Sequence, residues 1–393
     1  MHILVLNPGS SSIKFSMYVE GAGGLRALAE GEVSGVGGVE AKLDFRDAQG
    51  KDLSGAVGVV KAGSVEEAIA TVECAVGVGG LPRADAVGYR VVHPGAHLRG
   101  HQRLTPEVLA QLREAVAFAP LHDPEALKII GEMMRRMPGV PHFACFDTVF
   151  HETMPEVATV YTLPETVRAE GVRRYGFHGL SCESVVAQMR AATGAGVPQS
   201  MLVAHLGSGC SVTACLDGES VDNTMGLTPT GGVVMGTRPG DLDPGLVLYL
   251  LRRKGATADS VEAMLNHDSG LKALGGVNDL RALRAAESKD SNARFALEIF
   301  VRSLVKTIAG LAAVHRPSAL VFTGGIGEHD PETRAAVAEG IWPFGAAMDA
   351  AENEARGEGL RKINAKESQM AMYVVPAEED RTIAWHVARM YGQ

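Results

Sequence analysis

Two regimes of apolar spacing alternate along the chain. Short apolar runs at Ile3 to Leu6, Val140 to Phe146, Met201 to His205, Ala319 to Phe322 and Met372 to Val375 have the length of buried strands. Asp85 to His93 is a further strand, with Arg90 near its end. Longer stretches of helical spacing lie between them. Thr105-Pro106, Asp123-Pro124, Asp243-Pro244 and Asp330-Pro331 share one grammar, a capping side chain followed by proline at the first helical position. Gly255 and Gly340 stop the last two of these helices. Ser64-Val65-Glu66-Glu67 is a capping box that opens a helix to about Gly77. Helices are also predicted near Leu180 to Ala192, over Asn292 to His315 (closed by Pro317), and from Glu378 to Met390. Residues 19 to 62 predict short strands and turns without definite places. Strands alternating with helices predict an α/β protein.

The first strand leads into a turn of small residues, Asn7 to Ser12, and then a second strand, Ile13 to Tyr18. Gly9 lets backbone approach a ligand, and Lys14 stands just past the turn. Small residues, several donors and one lysine suit a phosphate cradle; a hairpin with a serine-rich loop is the plainer alternative. The design recurs at Met201 to Val212, where an apolar strand runs through His205 into Gly207-Ser208-Gly209 and a second strand. Thr323 to Glu328 reads as a third, glycine-rich turn. Two such turns predict a duplicated α/β domain with a nucleotide in the cleft between its halves.

Composition narrows the classes. With 393 residues, 46% hydrophobic and 21% charged, the chain has material for two or three domains and an ample core. A formal charge of −9 and the lack of a basic block argue against nucleic acid. No apolar run has the length of a membrane span, and the first residues do not read as a signal peptide. Five cysteines without CxxC spacing predict reduced thiols and a cytoplasmic setting.

Several polar residues stand where chemistry is done, each with a plainer alternative. Arg90 lies in an apolar strand end, which favours a ligand-facing role over a surface ion pair. Asp147 follows a strand at the end where α/β sheets bind ligands, or caps a helix. His178 lies between Phe177 and Gly179, and Arg238 between Gly236 and Gly240, in loops that backbone can bring to a ligand. His93, His97 and His101 recur every four residues, but Pro94, Gly95 and Gly100 break the helix that metal ligation at this spacing needs.

The ordered set NPGSSSIKF at 7–15, YRVVH at 89–93, APLHDP at 119–124, FDTVFH at 146–151, RRYGFHG at 173–179, HLGSGCS at 205–211, MGTRPGDLDP at 235–244, TGGIGE at 323–328 and PAEED at 376–380 resembles the acetate kinases, within the acetate and sugar kinase and actin superfamily. The resemblance runs along nearly the whole chain. It implies two duplicated actin-like, ribonuclease-H-like domains. The first would span residues 1–148, with a C-terminal helix at about 382–393 packing back on it. The second would span 149–381 and carry most of the ATP site and the dimer interface.

The implied activity is transfer of a phosphoryl group from ATP to acetate, giving acetyl phosphate and ADP, with Mg²⁺ (Mn²⁺ as an alternative ion), by a homodimer. The same resemblance implies that Asn7 and Glu379 hold the metal. Ser10, Ser12, Lys14, His205, Leu206, Gly207, Ser208, Gly209, Asp279, Leu280, Arg281, Gly325, Ile326, Gly327, Glu328 and His329 would form the nucleotide site. Arg90 would bind acetate beside a methyl pocket of Val92, Leu121, Phe177 and Pro229. Asp147, His178, Arg238 and His122 would be catalytic. Ser208 and His329 stand where the family usually has Asn, and altered nucleotide affinity is expected from them. The alternative within the family is a propionate or other short-chain carboxylate kinase, with Val92 as discriminator. Outside it are a sugar kinase, using Asp147 as base, and a non-catalytic nucleotide binder.

Overall fold

A computed structural model describes every residue except Ser10, Val39, Gly79, residues 119–122, Gly194, Ala195 and Gln393, and gives backbone alone for Ala117 and Thr193. Ser10, Leu121 and His122, expected in the site, lie outside the described residues. The chain forms two units, Met1–Val149 with Glu378–Gln393, and Phe150–Ala377.

The first unit is built on a seven-stranded sheet. Its strands are β1 (His2–Pro8), β2 (Ser12–Gly21), β3 (Gly24–Ser34), β4 (Lys42–Asp47), β5 (Ala86–Val91), β6 (Gln102–Arg103) and β7 (His142–Phe146), in spatial order β4-β3-β2-β1-β5-β7-β6. The strands from β4 to β1 form an antiparallel meander, and β5 and β7 add in parallel. Ile3, Val5 and Leu6 are wholly buried, as a strand covered on both faces requires.

The second unit carries β8 (Ser200–Leu206), β9 (Cys210–Leu216), β10 (Glu219–Asn223), β11 (Ala319–Thr323), β12 (Arg361–Lys362) and β13 (Ala371–Val374), in order β10-β9-β8-β11-β13-β12. Here too an antiparallel run is followed by parallel additions. Thus β3-β2-β1-β5-β7 and β10-β9-β8-β11-β13 repeat one topology, the duplication expected from the two turns.

The helices start where their caps predict. Thr105, Asp243 and Asp330 accept from Val108, Gly245 and Thr333 N–H at the heads of Pro106–Glu114, Pro244–Leu251 and Pro331–Gly340. The 25-residue helix Ser291–His315 ends at Arg316 in the left-handed region. Gly340 is the last residue of its helix rather than a stop beyond it, because a Cβ there would lie 2.5 Å from Val305. Gly255 sits in a turn beyond a helix already ended at Leu251.

Two expectations change. Residues 19 to 62 hold one long strand besides the six-residue β4: β3 runs for 11 residues beside β2. Its Gly31 is a packing requirement, since a Cβ would lie 2.5 Å from the Phe15 ring. The glycine-rich stretch after Thr323 is a short helix, Gly324–His329. Gly324 opens it at φ +77, where a Cβ would meet the Leu206 carbonyl at 2.8 Å.

The helix Glu379–Tyr391 docks on the first sheet by burying Ile383, Ala384 and Val387. Gly88 of β5 makes room for it; a Cβ there would lie 2.7 Å from Val387 and 2.8 Å from Ile383. This docking brings the helix's acidic first turn, Glu379 and Asp380, to the end of β1.

Candidate active site

The first unit gathers one group of polar side chains. Asn7 at the end of β1 faces Lys14 of β2 across the ladder. β1 and β2 form a hairpin, and the small-residue turn expected to cradle phosphate joins them. The Asn7 carboxamide donates to Glu379 Oε2 and Asp380 Oδ1, each at 3.3 Å. Ser16 Oγ donates to Asp380 Oδ2 at 2.5 Å. Lys14 is exposed, and Gly9 N–H closes the turn on the Ser12 carbonyl at 2.8 Å.

Arg90 leaves β5 and meets Asp147 through two hydrogen bonds, Nε to Oδ1 at 3.1 Å and Nη2 to Oδ2. Its Nε also lies 3.9 Å from Glu379. Asp147 has no exposed side-chain surface, and Arg90 only 19%. Burial pushes the Asp147 carboxyl up, against the pull of Arg90. The two facing carboxylates outweigh burial at Arg90 and keep its guanidinium charged. Arg90 is thus a largely buried ion-pair partner, and both carboxylate oxygens of Asp147 are engaged by it. Val92, two residues beyond Arg90, is half-buried.

The histidines after β5 serve as backbone acceptors. His93 Nδ1 takes Gly95 N–H at 2.8 Å and its ring stacks on Phe118 at 5.0 Å. His101 Nδ1 takes Phe146 N–H at 3.1 Å, and burial pushes its pKa down to about 3. His97 is exposed.

The second unit gathers another group. His178 sits at φ +60 and shares a 2.9 Å hydrogen bond with Ser211 Oγ. His205 shares one of 2.8 Å with Ser181 Oγ. The two imidazoles stack at 4.1 Å. A Cβ on Gly209 would lie 3.1 Å from His178 Nε2 and 3.4 Å from Arg238 Nη1, so both groups flank the bare backbone of the second turn. Arg238 Nη1 donates to the Pro229 carbonyl at 2.9 Å. Phe177 is buried, and its carbonyl accepts from His151 Nε2 at 2.9 Å and Asn223 Nδ2 at 3.2 Å. The two bases before it are structural: Arg173 pairs with Glu152 at 2.9 Å, and Arg174 donates to the Asn223 and Thr224 carbonyls.

Of the expected nucleotide segments, those at 205–209, 279–281 and 325–329 belong to this unit. Gly236 N–H reaches the Ser208 carbonyl at 3.3 Å, and a Cβ on Gly236 would lie 3.3 Å from the Asn278 carbonyl. A Cβ on Gly324 would lie 3.2 Å from His205 Nε2, whereas Gly325 opens on clear space. Asp279 caps the helix Leu280–Ala286 and pairs with the exposed Arg281 at 2.9 Å. That bond to Arg281 pulls the Asp279 carboxyl below its ordinary range. Arg284 of the same helix reaches Asp330, just past His329, at 3.3 Å. Buried Arg334 grips the Gly327 and Glu328 carbonyls at 2.9 and 3.0 Å. The Glu328 carboxylate takes Ala377 N–H at 3.0 Å, so this side chain anchors backbone.

Sequence reasoning missed Asp380, Ser16, Ser181, Ser211 and Arg334. For Asp380 a signal existed in the paired acids that open a helix. For Ser16, Ser181 and Ser211 the partners lie far apart in sequence, and Arg334 spans from the Gly327 and Glu328 carbonyls to Asn353.

A duplicated sheet topology, each copy with a small-residue turn between its first two strands, defines the actin-like class of phosphotransferases and nucleotide binders. The Acetokinase family matches residues 2–385. An acetate kinase of Rhodopseudomonas palustris is 40% identical over 99% of this chain and 98% of its own length. The crystal structure of Porphyromonas gingivalis acetate kinase superposes with a TM-score of 0.85 at 32% identity, covering 99% of both chains. A propionate kinase from Francisella tularensis superposes with 0.89 at 33%, also over 99% of both. The chain belongs to the acetokinase family.

Proposed function

We propose that this chain transfers the terminal phosphoryl group of ATP reversibly to acetate, giving acetyl phosphate and ADP by direct in-line displacement. The observation that carries it is Arg90: a guanidinium oriented by Asp147 and followed in sequence by the apolar Val92 suits a carboxylate with a short tail. Acetate has a carboxyl pKa of roughly 4–5, as a glutamate side chain does, so the nucleophile is ionised at neutral pH and no base is needed. The task is to bring an anion to a polyanion. Arg90 binds the acid; Arg238 and His178 favour the transferring group as its charge spreads; Lys14 and the turn at 205–209 hold phosphates. Asp279 to Arg281 and Gly325 to His329 take the nucleoside side.

The Glu379 and Asp380 carboxylates gather on the Asn7 carboxamide at one helix start, a set of hard donor groups that fits Mg²⁺. When bound, the ion supplies positive charge against the phosphates. A second copy is the partner implied for this family. The helix Pro244–Leu251 buries none of its residues and leaves Leu248 51% and Tyr249 64% exposed, an apolar face suited to self-association. Light scattering on the wild type and Leu248→Glu tests it: a dimer that the substitution splits is expected, and a wild-type monomer overturns it.

The decisive assay offers ATP, Mg²⁺ and acetate, propionate, butyrate, glucose or glycerol, and traps acyl phosphate as hydroxamate. Hydroxamate from acetate, with a lower kcat/KM for propionate, is expected; one methylene is worth about 1–3 kcal/mol. A faster rate with propionate moves the assignment within the family. Sugar phosphate without hydroxamate overturns it.

A further inference from the structure

Asp123 stands apart from the machinery above. It opens the helix Asp123–Arg136 and is 1% exposed. Its Oδ1 accepts from His93 N–H at 3.3 Å, in the segment that continues Arg90 and Val92. Its Oδ2 is buried without a hydrogen-bond partner. An ionised carboxylate needs donors on both oxygens, so a buried oxygen with none marks a group out of place as an anion.

Its surroundings point the same way. Arg90 of β5 and Asp147 beyond β7 are the charged groups that act on it, and Arg90 is already taken in a bidentate pair with Asp147. His93 offers Asp123 its main-chain N–H, while its ring Nδ1 takes Gly95. The turn Ala115–Phe118, which packs on the same helix, carries no titratable side chain. The helix Pro106–Glu114 adds only the exposed Glu107, Arg113 and Glu114. The helix Val65–Val78 meets the far end, through Glu73 and Arg136. Among the described residues, a negative Asp123 would thus face Asp147 with no cation of its own.

We propose that Asp123 is a positioning residue for the carboxylic acid substrate: as a neutral acid it fixes the strand end that carries Arg90 and Val92, and its ionisation disables that end. Burial first, then Asp147, push its carboxyl from 3.8 up to about 8, against the backbone donors and Arg90. The native state then holds a proton that the unfolded chain has released. The contribution to stability is full below about 4 and is lost as pH rises toward 8.

This inference rests on the reading of the chain as a carboxylate kinase, and the test separates the two. For the wild type and Asp123→Asn, which keeps an acceptor for His93 N–H and cannot ionise, kcat/KM for acetate is measured from pH 6.5 to 9.5 at saturating ATP and Mg²⁺. The wild type is expected to lose roughly tenfold between pH 7 and 9, and the variant less than threefold. Melting temperatures of both proteins without substrate form the second arm. The advantage of Asp123→Asn over wild type should grow from pH 5 to 8 and then level. Parallel activity profiles, or a melting difference that is flat with pH, overturn the proposal. Failure of acetate as a substrate with the melting difference intact strikes the function and leaves the neutral acid standing.

Discussion

The two arginines to which the proposed reaction gives separate tasks are held differently by the molecule. Arg90 is clamped by a buried carboxylate on two of its nitrogens, with a second carboxylate close by. Arg238 is steered by a main-chain carbonyl beside a bare glycine. The first arrangement fixes direction at the cost of much of the positive charge. The second fixes position while adding no countercharge through that bond. A cation that must bind a small acid in one orientation suits the first, and one that must meet growing negative charge suits the second.

The largest effect is expected at Arg90. Arg90→Ala leaves Asp147 buried without its partner and should cost about 3–5 kcal/mol of stability, while raising the KM for acetate tenfold or more. Denaturant unfolding and steady-state kinetics check both parts. A raised KM with unchanged stability would show that the clamp is ornamental. Arg238→Ala should instead fold as the wild type does and lower kcat by about 10²–10³ with little change in ATP binding. A kcat near wild type would remove Arg238 from the transferring group.

The supports of the two regions give smaller effects. Burial pulls His151, which holds the Phe177 carbonyl, from 6.5 down to about 4. Between those values the unfolded chain takes up a proton that the native chain refuses. Stability should therefore fall as pH drops from 6.5 to 4, by at most about 3 kcal/mol from this group. Melting curves of wild type and His151→Gln across that range should converge toward the acid end. On the other side, Gly88→Ala pushes a methyl into Ile383 and Val387 and should cost about 1–3 kcal/mol. Because that helix presents Glu379, the apparent affinity for Mg²⁺ should weaken together with stability. Lost stability without a shift in Mg²⁺ dependence would separate the helix from the metal.

The parts of this architecture written in local chemistry were legible. Caps followed by proline placed helix starts, and uninterrupted apolar runs placed the central strands, because each signal acts within a few residues. Glycine misled where it served packing: Gly31 lies inside a strand against Phe15, and Gly324 starts a helix beneath Leu206. The polar residues proposed for the site come as a set from the ordered motifs. Their partners do not. Ser211 lies 33 residues from His178, and Asp380 lies 364 from Ser16, distances over which only the folded sheet brings side chains together.

The bond from Asn7 to Glu379 joins residues 372 apart in sequence. On the ribosome, β1 emerges long before the helix that must cover its sheet. Until that helix arrives, Gly88 and its apolar neighbours face solvent or a chaperone. The cluster near Asn7 thus forms only after Glu379 has emerged, and a chain stopped anywhere before that residue has the hairpin but not the cluster.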